Sequence, residues 1–203
     1  MKHLWRGLGV AGLIALLPVT VSAENCVLID IEVTAEVSMD PGYEGMYKYT
    51  ISGNWEVDGV GGVSHVLFSL GAECPCFCDS SISMVYFPTT AGTSTGENNK
   101  GDVCEARYNG FIECSGLLET DDIVLKYEVS TANCDPKEIG TGTWIVYSTM
   151  APLPWAEYPD AVYVKYDAKL CTGTLTGQLP NCFDCVQVST EDKTWGAVKS
   201  LYR

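Results

Sequence analysis

An all-β fold is what the sequence predicts: an antiparallel immunoglobulin-like β-sandwich, disulfide-stapled, with a short C-terminal tail. Three observations predict it. Two early stretches, Val27–Ser38 and Tyr47–Asp58, alternate with a period of two. Roughly eight or nine short apolar runs follow one another at about 8–12-residue spacing, with no helical pattern beyond two turns. Ten cysteines, an even number, all lie beyond residue 25.

The alternation has a simple cause. In the first stretch Val27, Ile29, Ile31, Val33, Ala35 and Val37 take one parity, and Asp30, Glu32, Thr34, Glu36 and Ser38 take the other. In the second, Tyr47, Tyr49, Ile51, Trp55 and Val57 alternate with Lys48, Thr50, Ser52, Asn54 and Glu56. A β-strand sends successive side chains to opposite faces, so one face is buried and the other is wet. Uneven loops and strand lengths favour a sandwich over a regular closed barrel.

Residues 1–23 have the layout of a secretory signal peptide. Lys2 and Arg6 precede the apolar core Leu8–Leu17, Pro18 breaks it, and Val21-Ser22-Ala23 offers a small-residue cleavage site. That core is too short to cross a bilayer, and no later stretch is long enough for a membrane helix. The expected organisation is a leader at 1–23, a sandwich domain at 24–190 and a tail at 191–203, in a secreted or cell-surface protein. The chain carries 12 Lys+Arg against 26 Asp+Glu, a net charge of −14. The leader holds two of the bases and none of the acids, so its loss leaves −16. Such a surface repels phosphate backbones, which argues against nucleic acid as a partner.

Taken in order, Asp40-Pro41-Gly42-Tyr43-Glu44-Gly45 is a turn cluster joining the two opening strands. Gly59-Val60-Gly61-Gly62 is a connector, and Val63–Leu70, apolar on both faces, is a central strand. Cys74-Pro75-Cys76-Phe77-Cys78 in extended form would put three sulfurs on one face, with Pro75 placing it at an edge or in a loop. Ser83–Phe87 is a short strand. Thr89–Asp102, rich in Thr, Gly, Ser and Asn, is expected as a long mobile loop. Ile123–Val129 and Thr143–Thr149 are strands. Met150–Asp160, with Pro152, Pro154 and Pro159, is expected as a stiff loop. Ala161–Tyr166 and Leu170–Gly177 are the last strands.

The cysteines Cys26, Cys74, Cys76, Cys78, Cys104, Cys114, Cys134, Cys171, Cys182 and Cys185 read as a disulfide framework in an exported chain. Two pairs are suggested locally. A three-residue hairpin loop at Tyr108-Asn109-Gly110 would set Cys104 opposite Cys114, whereas a two-residue Asn109-Gly110 turn would put them out of register. Cys171 and Cys182 are symmetric about Thr176-Gly177, which suits a hairpin.

The tail carries Trp195, Val198 and Leu201 or Tyr202 at the spacing of one helix face, with Lys193, Lys199 and Arg203 beside them. It either docks on the acidic domain or is a label read by export or attachment machinery. The run Thr194-Trp195-Gly196-Ala197-Val198-Lys199-Ser200-Leu201-Tyr202-Arg203 resembles the Thr-Trp-Gly-x-(Val/Ile)-Lys-x-x-(Tyr/Phe)-Arg endings of many exported, uncharacterised bacterial proteins. Tyr47–Trp55, Ser64-His65-Val66 and the cysteines at 74–78 are similar to secreted bacterial β-domains with no assigned activity. The resemblance implies a bacterial secreted or surface module and brings no catalytic residues with it.

Chemistry-bearing patterns are few. Beyond the leader, His65 is the one histidine, and its strand setting suits a hydrogen-bonded structural role. Gly92-Thr93-Ser94-Thr95-Gly96 matches G-x-S-x-G, but that motif works on a strand-to-helix turn, and no helix follows. Cys74-x-Cys76-x-Cys78 and Cys182-Phe183-Asp184-Cys185 have spacings open to zinc or redox chemistry, yet export favours disulfides. Asp40-Pro41-Gly42 and Glu119-Thr120-Asp121-Asp122 offer oxygen ligands for a weak calcium site, the one ion the sequence suggests; no other cofactor is expected. An acidic pair for glycoside hydrolysis is conceivable from composition alone. The remaining lead is the segment Leu153–Asp160, where Trp155 and Tyr158 stand beside Glu157 and Asp160. Rings on a stiff loop next to acceptors can stack on a sugar or a partner protein; the alternative is that Trp155 folds back to cap the sandwich. The expectation is therefore a non-enzymatic binding or structural module, with carbohydrate recognition through residues 153–160 as the alternative and an acidic-pair hydrolase as the weaker one.

Overall fold

The alternating stretches fold as the period-two pattern requires. In a computed structural model that describes residues 24–56, 63–70, 75–78, 84–98, 100–114, 123–134, 139–166 and 169–181, β1 (Glu24–Val37) and β2 (Tyr47–Glu56) form an antiparallel hairpin that pairs Val33 with Ile51 and Ala35 with Tyr49. Ile31, Val33, Tyr49, Ile51 and Trp55 are buried, and Asp30, Glu32, Thr34 and Glu36 are exposed. The turn between them is held by Tyr43 N–H to the Asp40 carbonyl at 3.0 Å and by Ser38 N–H to the Met46 carbonyl at 2.7 Å.

Eight more strands follow: β3 (Val63–Ser69), β4 (Val85–Tyr86), β5 (Gly92–Glu97), β6 (Val103–Glu113), β7 (Val124–Ala132), β8 (Ile139–Ser148), β9 (Ala156–Tyr166) and β10 (Lys169–Gly177). Nine of them make one closed ring, β2-β1-β10-β9-β3-β7-β6-β5-β8, which returns to β2 through the β2–β8 pair. β4 adds to β8 beyond the end of β5, at Tyr147 and Ser148. The predicted immunoglobulin-like sandwich is therefore wrong: the protein is a closed β-barrel. A ring of nine strands cannot alternate direction all the way round, so one neighbouring pair has to be parallel. That pair is β1 with β10, the first strand with the last. Period two tells a strand from a helix, but the same one-sided burial serves a sandwich and a barrel equally well.

The barrel is filled rather than hollow. Trp144 sits at its centre, with ring centroids 6.0 Å from Trp55, 5.5 Å from Phe68, 5.8 Å from Tyr108 and 6.3 Å from Tyr127. Edge-on and tilted geometries dominate, as the ring quadrupoles prefer. Rings this large need space opposite them, and glycines supply it. A Cβ at Gly142 or Gly92 would lie inside the Trp144 indole, and one at Gly140 inside that of Trp55.

This use of glycine overturns two loop expectations. Gly92-Thr93-Ser94-Thr95-Gly96 is not a mobile loop but β5, a wall strand between β6 and β8. Asn109-Gly110 is not a hairpin turn. β6 runs straight through it, and a Cβ at Gly110 would meet the Phe87 ring. Cys104 near the start of β6 and Cys114 just past its end are therefore about 34 Å apart, and the predicted Cys104–Cys114 bridge is wrong. The bridges are Cys78–Cys114 and Cys104–Cys134. Cys171 is also disulfide-bonded, while Cys182, its expected partner, lies outside the described residues. Pro75–Cys78 is a 3-10 turn and not extended chain. The stiff-loop expectation for Met150–Asp160 holds only to Trp155, because β9 begins at Ala156. Within β9 the pairing with β10 slips between Tyr158 and Val162. Pro159, which has no N–H to give, occupies this bulge beside Asp160, whose φ is 54°. β3 matches its prediction, with Val66, Leu67 and Phe68 buried on both faces.

Candidate functional site

Three places on the described surface concentrate polar or exposed aromatic side chains. The broadest is a trough on the outer wall that crosses β2, β8, β5, β6 and β7 at right angles to the strands. Its form follows from register. Ser52 pairs with Thr143, Thr143 with Thr93, Thr93 with Arg107, and Arg107 with Thr131. These five outward residues make one bank. Two positions along each strand, Asn54 pairs with Thr141, Thr141 with Thr95, and Thr95 with Glu105. Asn133 extends that second bank, accepting the Glu105 N–H on its Oδ1 at 2.7 Å. Between the banks the small residues Gly53, Gly142, Ser94, Ala106 and Ala132 line the floor. Two depressions of about 360 Å³ and 580 Å³ occupy the trough and meet at Thr93–Thr95.

The banks are uncharged over most of their length. Eight of the ten bank residues are Thr, Ser or Asn, and Glu105 and Arg107 cancel. Thr95 and Thr141 hydroxyls bridge two strands at 3.2 Å. Most bank side chains are exposed, with Ser52 and Thr143 half-buried. Below the floor, Ser94 is only 3% exposed and its Oγ lies 2.9 Å from the Tyr108 hydroxyl, inside the barrel. The serine of the G-x-S-x-G match is thus a core residue on a strand, not a nucleophile on an elbow.

The second place surrounds His65. A register slip between Val63 and His65 on β3 brings the Ser64 hydroxyl beside the imidazole, 2.8 Å from Nδ1. Nε2 lies 3.0 Å from Glu128 Oε1 on β7, and Lys126 reaches the same carboxylate. Hydrogen bonds from Lys126 and then His65 hold the Glu128 carboxyl below the ordinary carboxylate range. Ser64 Oγ also donates to the Lys165 carbonyl of β9 at 3.2 Å. The group ties three strands together across a bulge, so the hydrogen-bonded role expected of His65 matches its partners.

The third place is the predicted aromatic segment. Trp155 is 63% exposed, so it does not fold back as a cap. Tyr158 packs against the core and burial raises its phenol pKa. Glu157 and Asp160 are exposed. The two rings thus have different surroundings, one in solvent and one against the barrel.

Of the proposed calcium ligands, Asp40 is already engaged. Its carboxylate accepts the Tyr147 hydroxyl at 2.6 Å and pairs with Lys48 Nζ at 2.8 Å. The hydrogen bonds from Lys48 and Tyr147 hold its carboxyl below the ordinary value, and Tyr43 stacks on Tyr147 at 3.9 Å. Asp121 and Asp122 lie outside the described residues, as do Cys182, Cys185 and the tail. No group of three or more His, Cys, Asp or Glu close enough to hold a metal ion occurs among the described residues.

The trough was missed in the sequence, although a signal is there. Ser52-Gly53-Asn54, Thr93-Ser94-Thr95 and Thr141-Gly142-Thr143 are three polar-small-polar triplets. They mean nothing until register lays them side by side.

A filled β-barrel with its open polar surface on the outside is the class that fold and site define. The chain matches no family model, no curated protein and no solved structure.

Proposed function

We propose that the protein is an exported, non-enzymatic binding module whose ligand sits on the outside of the barrel. One observation carries this reading: the barrel interior is packed with Trp55, Trp144, Phe68, Tyr108 and Tyr127, while the depressions open on the outer wall. A lipocalin-like interior ligand has no room there. Export is supported by the leader pattern of residues 1–23 and by the disulfides. The tail at 191–203 is read as an attachment or sorting label.

The enzymatic alternative is tested directly. The secreted form is incubated with chromogenic esters and glycosides across pH 4–9. No turnover above buffer is expected. Hydrolysis that disappears in Ser64→Ala or His65→Ala overturns the non-enzymatic reading.

A second reading has its own observation. Trp155 exposes most of its indole at the start of β9, next to exposed Glu157. Such a ring can stack on a sugar face with a carboxylate beside it. If this is the ligand site, Trp155→Ala abolishes binding and substitutions in the trough do not.

A further inference from the structure

The trough says more about its occupant than the reading of a binding module does. Resting on that reading, we infer that the trough across β2, β8, β5, β6 and β7 binds a single strand of an uncharged, hydroxyl-rich polysaccharide, lying across the β-strands.

Four physical arguments converge on this ligand class. The first is length and shape. Five strands at their ordinary spacing span about 19 Å from first to last, and the banks stand about 7 Å apart, which is room for about four sugar rings in a row. The two depressions share Thr93–Thr95, so the path is continuous and not a pair of separate pockets.

The second is bank chemistry. The Asn133 amide is held by the Glu105 N–H and the Val103 carbonyl, while the hydroxyls of Thr93, Thr95, Thr141 and Thr143 and the amide of Asn54 both donate and accept. A sugar hydroxyl does the same, so each can meet its match without either being left unpaired. A charged polymer would instead meet neutral banks on a chain of net charge −14, and polyanions are repelled by the whole surface.

The third argument excludes a peptide. Strand addition needs a free edge, and here every trough strand has neighbours on both sides within a closed ring. Backbone groups in the floor are already spent in the ladders, so recognition has to run through side chains. A folded protein partner would be expected to find aromatic or aliphatic anchors, and the banks hold none.

The fourth concerns which features the core already explains. The floor glycine Gly142 is required from inside by Trp144. The banks point away from the core, so the core does not dictate their chemistry. Strand preference accounts for threonine, but Val, Ile and Tyr fit a strand as well. Their absence from ten outward positions on five strands leaves a face matched to water and equally to a hydrated ligand.

The test uses the secreted form and neutral oligosaccharides of two to six units from cellulose, chitin, xylan and dextran, titrated calorimetrically. Polygalacturonate and heparin serve as charged controls. Binding to at least one neutral series is expected, tightening with length up to about four units and then levelling off. Thr93→Lys with Thr141→Lys, which fills the trough with long side chains pointing outward, should weaken it at least about tenfold. Thr141→Ala with Asn54→Ala checks the same contacts without adding bulk, and near-ultraviolet circular dichroism verifies the fold of each variant. Trp155→Ala should leave binding unchanged.

Binding that survives both trough pairs overturns the inference, and loss in Trp155→Ala moves the site to the aromatic segment. Preference for the charged controls, or no binding to any neutral series, also overturns it while leaving a binding module for another ligand. Release of shorter sugars during the titrations sinks the module reading itself.

Discussion

The two sides of the barrel solve the same packing problem in opposite ways. On the β2–β8–β5 side the inward positions include Gly53, Gly142, Gly140 and Gly92, and the volume is supplied by a few large rings such as Trp55 and Trp144. That wall turns Thr, Ser and Asn outward. On the β9–β3–β7 side the inward positions are Val162, Val164, Val66, Phe68, Leu125 and Tyr127, each filling its own space. Here Leu67 and Val124, outward by parity, are buried as well, and His65, Lys126 and Glu128 knit the surface together. One wall is thin, polar and open; the other is thick and covered on both faces. The difference teaches that glycine in a strand is a statement about the ring that lies over it from the same or the neighbouring strand, and that a polar outer face is available for binding only where nothing else covers it.

The largest expected effect breaks the thin wall from inside. Trp144→Ala removes the ring that four other aromatics contact and should cost about 3–5 kcal/mol, measured by urea unfolding. A cost below about 1 kcal/mol would mean that the wall does not depend on that ring. Next, the two walls can be set against each other at outward positions. Leu67→Ala should cost about 2–4 kcal/mol, whereas Thr143→Ala should stay within about 0.5 kcal/mol. Equal losses would erase the distinction between a covered and an open wall.

A third experiment targets the disulfide that ties the trough strand β6 to the end of β7. Replacing Cys104 and Cys134 together by Ala should cost about 2–4 kcal/mol in the oxidised protein. The smallest effect is electrostatic and lies where the β1–β2 turn meets the thin wall at Lys48 and Tyr147. Asp40 is held below its ordinary value of 3.8 by Lys48 and Tyr147, so its contribution is complete above that value and is lost as pH falls below it. Asp40→Asn should therefore lower Tm at pH 7 by a small amount, and the gap should narrow as pH falls below 3.8. A gap that stays constant with pH would mean that shape, not charge, matters at that turn.

Much of this was legible residue by residue. The hairpin Val27–Val37 with Tyr47–Trp55, the turn at Asp40–Gly45 and the central strand around Val66–Phe68 follow from alternation, turn chemistry and one-sided or two-sided burial. The errors share a cause. Gly92 and Gly110 were read as punctuation because glycine in a sequence has no visible neighbour, and the neighbours are Trp144 and Phe87. With β5 taken for a loop and β6 broken at Asn109-Gly110, the barrel lost a wall strand and half of another, and Cys104 was paired along its own strand.

What the sequence determined by itself is local: strand character, the faces that must be buried, the turn, the surplus of acid and the reliance on disulfides. These depend on side chains within a few residues of one another. Closure of the ring through β2–β8, the parallel β1–β10 pair, the choice of Cys78–Cys114 and Cys104–Cys134, and the laying of three polar triplets into one trough were decided only in three dimensions. Each depends on register between segments far apart in the chain, and register is set by the packing of the whole interior rather than by any stretch of sequence.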